Sequence, residues 1–196
     1  MTKLSKDFYT RNDVVKIARE LIGKELFTCI HGQLTSGIIV ETEAYHGRKD
    51  KACHAYPDVH TARTEIMYKE GGRAYVYLCY GIHHLFNVVT NKEGKADAVL
   101  IRAIEPRYGL DYMLFRRKLT KASNKVSSGP GKVGQALGIS TVMTNISLLG
   151  DQIWIEDKDI NIDIETSTRI GVEYAEEAAL FNWRFLAKNN VYVSNK

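Results

Sequence analysis

Apolar residues Val14, Ile17, Ala18, Leu21 and Ile22 recur at the three- and four-residue spacing of one helical face, so a helix is expected over residues 10–23. Thr10 and Asp13 suit a capping box at its start, and Gly23 suits its stop. From Glu25 onward the pattern changes to runs rich in β-branched and aromatic residues, which favour strands. Residues 26–30 and 36–45 form the first two runs, with a turn at His31-Gly32-Gln33. Residues 74–80 and 84–90 lie on either side of a bend at Gly81, and a turn at residues 91–94 leads into the run 98–104. Together these read as a connected antiparallel sheet. Pro106 is expected to end the last run, Leu110, Met113 and Leu114 to mark a short helix, and residues 132–137 a second one. Further strands are expected at residues 152–156, in the Asp and Ile alternation after them, at 183–186 and at 191–193.

No repeat, low-complexity tract or long linker separates these elements, and three prolines leave no composition break, so residues 1–196 read as one α+β domain. A chain of 196 residues buries roughly 70% of the surface it exposes when unfolded, enough for a core without disulfide or metal. Cys29, Cys53 and Cys79 lack a CxxC spacing, and His46, His54 and His60 lack that of a zinc site, so no cofactor or metal is expected. The cysteine usage points to a reducing, cytoplasmic setting. The first eight residues lack the apolar run of a signal peptide, and no stretch approaches the ~20 apolar residues of a membrane span. Lys and Arg number 27 against 23 Asp and Glu, a net charge of +4 that permits a polyanionic partner without requiring one. Arg116, Arg117, Lys118, Lys121, Lys125 and Lys132 fall in one stretch without acidic residues, which is either a basic face or a solvated helix end and loop.

Four segments hold residue types that carry chemistry. A regular strand through residues 39–45 places Ile39, Glu41, Glu43 and Tyr45 on one side. The two carboxylates are then either a general base beside a phenol or exposed residues of a half-solvated sheet. The segment YVYLCYG (residues 75–81) is aromatic enough to stack on an extruded base, each such contact contributing ~1–3 kcal/mol, or to form an ordinary aromatic core. Arg102 lies in the apolar run VLIRAIEP (residues 99–106), where a guanidinium needs either an internal acid or an external anion such as phosphate. In SSGPGK (residues 127–132) a small-residue turn enters a helix, so that free backbone amides and Lys132 are placed to grip a phosphate. The spacing is not that of a nucleotide-binding P-loop.

VETEAY (residues 40–45), the downstream His54, AYVYLCYG (residues 74–81) with Asn87, VLIRAIEP and SGPGKVGQALGI (residues 128–139) resemble, in order and spacing, the alkyladenine or 3-methyladenine DNA glycosylase family. The likeness runs from about Ile17 through RIGVEYA (residues 169–175) to the WRF at Trp183. It implies a single domain with a curved, mostly antiparallel sheet and peripheral helices, like the C-terminal domain of formyltransferases, without a helix-hairpin-helix motif. It also implies a monomer, without a metal, that flips an alkylated or deaminated purine out of duplex DNA and hydrolyses its N-glycosidic bond. By the same resemblance Glu43 would activate water, with Glu41 structural. Tyr45 and Tyr77 would sandwich the base, His54 would form the pocket wall, and Asn87 would crowd the exocyclic amine of guanine. Tyr80 would be the wedge, flanked by Ile82 and His83. Arg63, Arg102, Gly131 and Lys132 would hold phosphates or orient the site. The imidazoles at His83-His84 and the short turn at residues 91–95 depart from the family pattern and leave the substrate range open.

Two other functions fit the same residues. A non-catalytic nucleic-acid-binding module would use the basic, tyrosine-rich sheet for stacking alone, and a small-molecule hydrolase would use Glu41 and Glu43 as an acid/base pair.

Overall fold

One long strand, paired with three others, lies at the centre of the sheet. The structure, a computed structural model, describes residues 2–194. In chain order its strands are β1 (Thr2–Lys3), β2 (Glu25–Ile30), β3 (Gln33–His46), β4 (Arg73–Cys79), β5 (His83–Thr90), β6 (Asp97–Tyr108), β7 (Ile153–Asp157), β8 (Ile164–Ser167) and β9 (Arg184–Ala187). Its α-helices are α1 (Lys6–Tyr9), α2 (Val14–Glu20), α3 (Leu110–Arg117) and α4 (Pro130–Leu137). The strands form a single sheet in the order β1-β7-β2-β3-β6-β5-β4, with β9 pairing β3 and β8 pairing β9. Every pairing is antiparallel. This is the expected α+β domain, with a curved sheet and peripheral helices.

The edges of β3 explain where its carboxylates go. On one edge its first half pairs β2, from Gln33 opposite Ile30 to Ile38 opposite Glu25. Glu41, Thr42 and Glu43 then pair Leu186, Phe185 and Arg184 of β9. The other edge pairs β6 from Ser36 to His46, with register shifts that leave Val40 and Arg102 unpaired. Such bulges bend a strand and re-aim its side chains. Residues 35–44 are all buried, so both faces of β3 are covered and the half-solvated alternative for Glu41 and Glu43 does not hold.

Helices close the core over this sheet. Val14, Ile17 and Ala18 of α2 pack into it, and the Asp13 carboxylate caps that helix by accepting from the Lys16 N–H at 2.9 Å. The helix expected over residues 10–23 is therefore shorter, and Thr10 closes α1 instead of opening α2. Pro130 starts α4, where its missing N–H costs nothing. Glycines let α4 approach β5: a Cβ on Gly131 would lie 2.8 Å from the His83 ring, and one on Gly134 2.2 Å from the His84 carbonyl oxygen. Arg116 and Arg117 are drawn inward, donating to the carbonyls of Ala136 and Val126, each at 3.0 Å, so the basic stretch is partly spent on tying α3 to its neighbours.

Other departures from the pattern have local causes. β6 continues through Pro106 because β5 pairs it only as far as Leu100, so no ladder bond is lost on that side. The Asp and Ile alternation yields a strand only at Ile164–Ser167, where β9 offers an edge, and residues 191–193 close a turn on Asn190. Short 3₁₀ turns at Glu65–Tyr68, Asn124–Val126, Thr141–Met143 and Glu173–Leu180 carry no expected pattern.

Arg169 joins three segments by donating to the buried Asp50 carboxylate at 2.8 Å and to the carbonyls of Ala44 at 2.8 Å and Ala178 at 2.9 Å. Asp50→Ala leaves this guanidinium buried without its counter-charge and is expected to destabilise the fold by about 3–5 kcal/mol, much of it recovered by adding Arg169→Met. Urea denaturation checks this; a cost for Asp50→Ala below about 1 kcal/mol would contradict the assignment.

Candidate active site

Glu41 and Glu43 are both 0% exposed, and a carboxylate removed from water needs donors to offset its lost hydration. Glu41 accepts from Arg102 Nε at 2.9 Å, Arg184 Nε at 2.8 Å, and the N–H and hydroxyl of Ser194 at 2.7 and 2.9 Å. With four donors it is saturated. Glu43 accepts from the Tyr45 hydroxyl at 2.7 Å, the Ile170 N–H at 2.8 Å and Arg102 Nη1 at 3.2 Å. Tyr45, Ile170 and Arg102 all line a cavity of about 240 Å³, so Glu43 sits directly behind its wall. That volume lies below the roughly 300–1,000 Å³ of drug-sized ligand sites and suits a fragment no larger than a single base. Arg102 spans the two carboxylates from its bulge on β6; its guanidinium is committed to internal acids and is not offered to an external phosphate.

The cavity wall is aromatic because β4 alternates. Tyr75 and Tyr77 share a face, their ring centroids 5.5 Å apart, and the His54 ring meets Tyr77 edge-on at 4.7 Å. Tyr45 lines the same space, with the Arg169 guanidinium 4.8 Å from its ring centroid. Burial first, and then the Glu43 charge, raises the Tyr45 phenol well above its ordinary range, so it keeps its proton and donates to Glu43. Burial likewise raises Tyr75 and Tyr77. His54 is lowered to about 4, by burial and then by the Arg63 guanidinium, and is neutral at pH 7. Asn87 donates its amide to the carbonyls of Tyr75 and Leu85 at 3.1 and 3.2 Å, which fixes the side chain in the cavity wall.

Beside the cavity, the hairpin joining β4 to β5 carries its own strain. Tyr80 and Gly81 both have positive φ, 50° and 73°, and the Ile82 N–H donates to the Cys79 carbonyl at 3.2 Å, as in a type I′ turn. A left-handed backbone costs a non-glycine residue roughly 1–2 kcal/mol, and Tyr80 meets that cost while 91% exposed at the rim of the cavity. Ile82 is 71% exposed and, with His83 and Gly131, lines a separate groove between the hairpin and α4.

The structure thus gathers Glu43, Tyr45, His54, Tyr77, Tyr80, Asn87 and Arg102 at one cavity, and Ile82, His83 and Gly131 beside it. Arg63 stands outside that cavity, its guanidinium 5.0 Å from the Tyr77 ring centroid. Lys132 reaches Ser128 Oγ at 3.3 Å, and burial together with Arg117 and Lys125 lowers its pKa. Reading the sequence missed Arg184, Ile170 and Arg169. Arg184 carries the same signal as Arg102, a guanidinium inside an apolar run (WRFLA, residues 183–187). Ile170 acts through its backbone N–H, which no side-chain pattern reveals.

The His54 shift has a stability consequence. Its unfolded pKa is about 6.5 and its folded pKa about 4, so between those values the unfolded chain takes up the proton first and stability is lost as pH falls. His54→Gln is expected to remove a component on the order of 3 kcal/mol from the pH dependence between 7 and 4. Denaturation midpoints of both proteins across that range check it, and parallel curves would contradict it.

Comparison with known proteins bears on this geometry. Residues 7–191 match the model of the family described as methylpurine-DNA glycosylase (MPG). A protein of Chlamydia felis (strain Fe/C-56) named "Putative 3-methyladenine DNA glycosylase" is 49% identical over 184 residues, 93% of this chain and 95% of its own length. Proteins of the same name from Alkaliphilus oremlandii (strain OhILAs) and Desulfitobacterium hafniense (strain Y51) are 44% and 43% identical, covering 99% and 100% of this chain and 100% of their own lengths. The chain belongs to the methylpurine-DNA glycosylase family.

Proposed function

We propose that this protein is a DNA glycosylase that flips alkylated or deaminated purines out of duplex DNA and hydrolyses their N-glycosidic bond, leaving the strand uncut. The substrate class comprises 3-methyladenine and 7-methylguanine, and extends to hypoxanthine and etheno-adenine. The observation that carries this reading is Glu43: a carboxylate hidden from bulk water yet held by three residues that line a base-sized aromatic cavity.

Extrusion costs a few kcal/mol, less for a base whose pairing is already weakened, which supplies part of the selectivity. Tyr80 is the wedge that fills the vacated stack, with Ile82 and His83 beside it, a role supported by its exposure on a turn with positive φ. The base enters between Tyr45 and Tyr77, against His54. A purine alkylated on a ring nitrogen is cationic, and a phenol face favours it by cation–π attraction. The Asn87 amide, held by the carbonyls of Tyr75 and Leu85, crowds the exocyclic amine of normal guanine, a cost that cation–π attraction offsets for cationic 7-methylguanine. Glu43 takes a proton from water, the water oxygen bonds to the sugar carbon, and the purine leaves with the bonding electron pair. Arg102 and the Ile170 N–H orient the carboxylate for this step. Phosphate contacts fall to exposed Arg63, to Lys132 and to the backbone at Gly131.

Glu43→Gln separates this reading from a DNA-binding module without turnover. The variant is expected to lose about 10²–10⁴-fold in base release from methylated duplex DNA while keeping its affinity for the duplex. Release is read as strand breaks that appear only after alkali. Undiminished release by the variant, or none by the unaltered protein, would contradict the proposal.

A further inference from the structure

Hydrolysis of a neutral purine differs from that of a cationic one at the leaving group, because the base departs with negative charge unless something donates to it. Arg63, His54 and Tyr75 form a hydrogen-bonded series at the wall of the base cavity. Arg63 Nη2 lies 3.2 Å from His54 Nε2, and His54 Nδ1 lies 2.8 Å from the Tyr75 hydroxyl. A guanidinium has five N–H donors and no acceptor, so the lone pair at that contact belongs to His54 Nε2. The neutral imidazole then carries its hydrogen on Nδ1, and Nδ1–H donates to the Tyr75 oxygen. That oxygen is occupied as an acceptor, and the phenol's own hydrogen is free to point elsewhere.

Tyr75 is 3% exposed and lines the base cavity together with Tyr77 and His54. Its ring also forms part of an outer groove shared with Arg63, so the relay runs from the protein surface through the wall. Burial raises its pKa, so the phenol holds its proton and acts by hydrogen bonding.

Resting on the glycosylase reading above, we propose that Tyr75 is the hydrogen-bond donor for departing neutral purines, and that Arg63 and His54 are positioning residues that fix the direction of its hydroxyl. In the step, the bond from water oxygen to the sugar carbon forms and the bond from that carbon to the purine nitrogen breaks. Glu43 takes the water proton, and the electron pair left on the purine is shared with the Tyr75 O–H. The released base takes a proton from solvent, and Glu43 returns one. A cationic purine leaves as a neutral molecule and has no need of this donor.

The test is the ratio of two single-turnover rates, hypoxanthine release over 7-methylguanine release, measured on matched duplexes. Tyr75→Phe keeps the ring and removes the hydroxyl. It is expected to lower the ratio about 10- to 100-fold through the hypoxanthine rate, with 7-methylguanine release held within about threefold. Arg63→Met, an exposed substitution, frees the imidazole to change tautomer and is expected to lower the same ratio by a smaller factor, about 3- to 10-fold. It decides the question if Tyr75→Phe fails to fold. Equal loss for both lesions, or an unchanged ratio in the folded variants, would overturn the donor assignment. Neither result touches the glycosylase reading, which this experiment overturns if the unaltered protein releases no base from either duplex.

Discussion

Two carboxylates two residues apart on one buried strand must both be compensated, and the structure does so with arginines delivered from the strands on either side. Glu41 and Glu43 lie where β3 exchanges β2 for β9 on one edge while keeping β6 on the other. Arg184 arrives from β9, and Arg102 from a bulge in β6. Either charge left unpaired would cost several kcal/mol, so the bulge, the strand exchange and the seating of Ser194 on Glu41 all answer the same electrostatic demand. The same logic recurs nearby, where Asp50 pairs Arg169 and Asp97 pairs Arg48.

That demand also places the two glutamates in different surroundings. Glu41 is closed in by Arg102, Arg184 and two groups of Ser194, of which Arg102 lines the cavity, whereas all three donors of Glu43 are cavity residues. One arginine, Arg102, donates to both carboxylates and so ties the two together. The aromatic residues around them divide in a comparable way: Tyr45 is tied to Glu43, Tyr77 lies against the His54 ring, and Tyr75 is coupled through His54 to Arg63 at the surface. Tyr80 stands apart from all three, on a turn whose strain keeps it out of the core.

Much of this was legible in the residue pattern, for reasons that differ by element. Runs of β-branched and aromatic residues located β3, β4, β5 and most of β6, which are buried along most of their length, and helical spacing located α2 and α3. Boundaries were missed where a local cap or a partner strand decides them: Asp13 captures the cap of α2, and Pro106 stays in β6 opposite Gly37 of β3, beyond the stretch that β5 pairs. β1, two residues long, is too short for any period to show. At the site, Arg102 stood out as a charge inside an apolar run, yet only the fold decides between an internal acid and an external phosphate, and it chooses the acids. Arg184 carried the same mark. Ile170 contributes an N–H set by loop geometry, and Tyr75 gains its meaning from a hydrogen-bond direction that depends on residues 12 and 21 positions away.

The central claim is that Glu43 faces the sugar of a purine drawn into the aromatic cavity. A crystal structure of Glu43→Gln bound to a duplex carrying hypoxanthine tests it most directly. The account predicts the purine between Tyr45 and Tyr77, Tyr80 in the space the base has left, and the residue 43 amide one water molecule from the sugar carbon. A purine still stacked in the duplex, or a residue 43 side chain turned away from the sugar with another acid nearer to it, would contradict it.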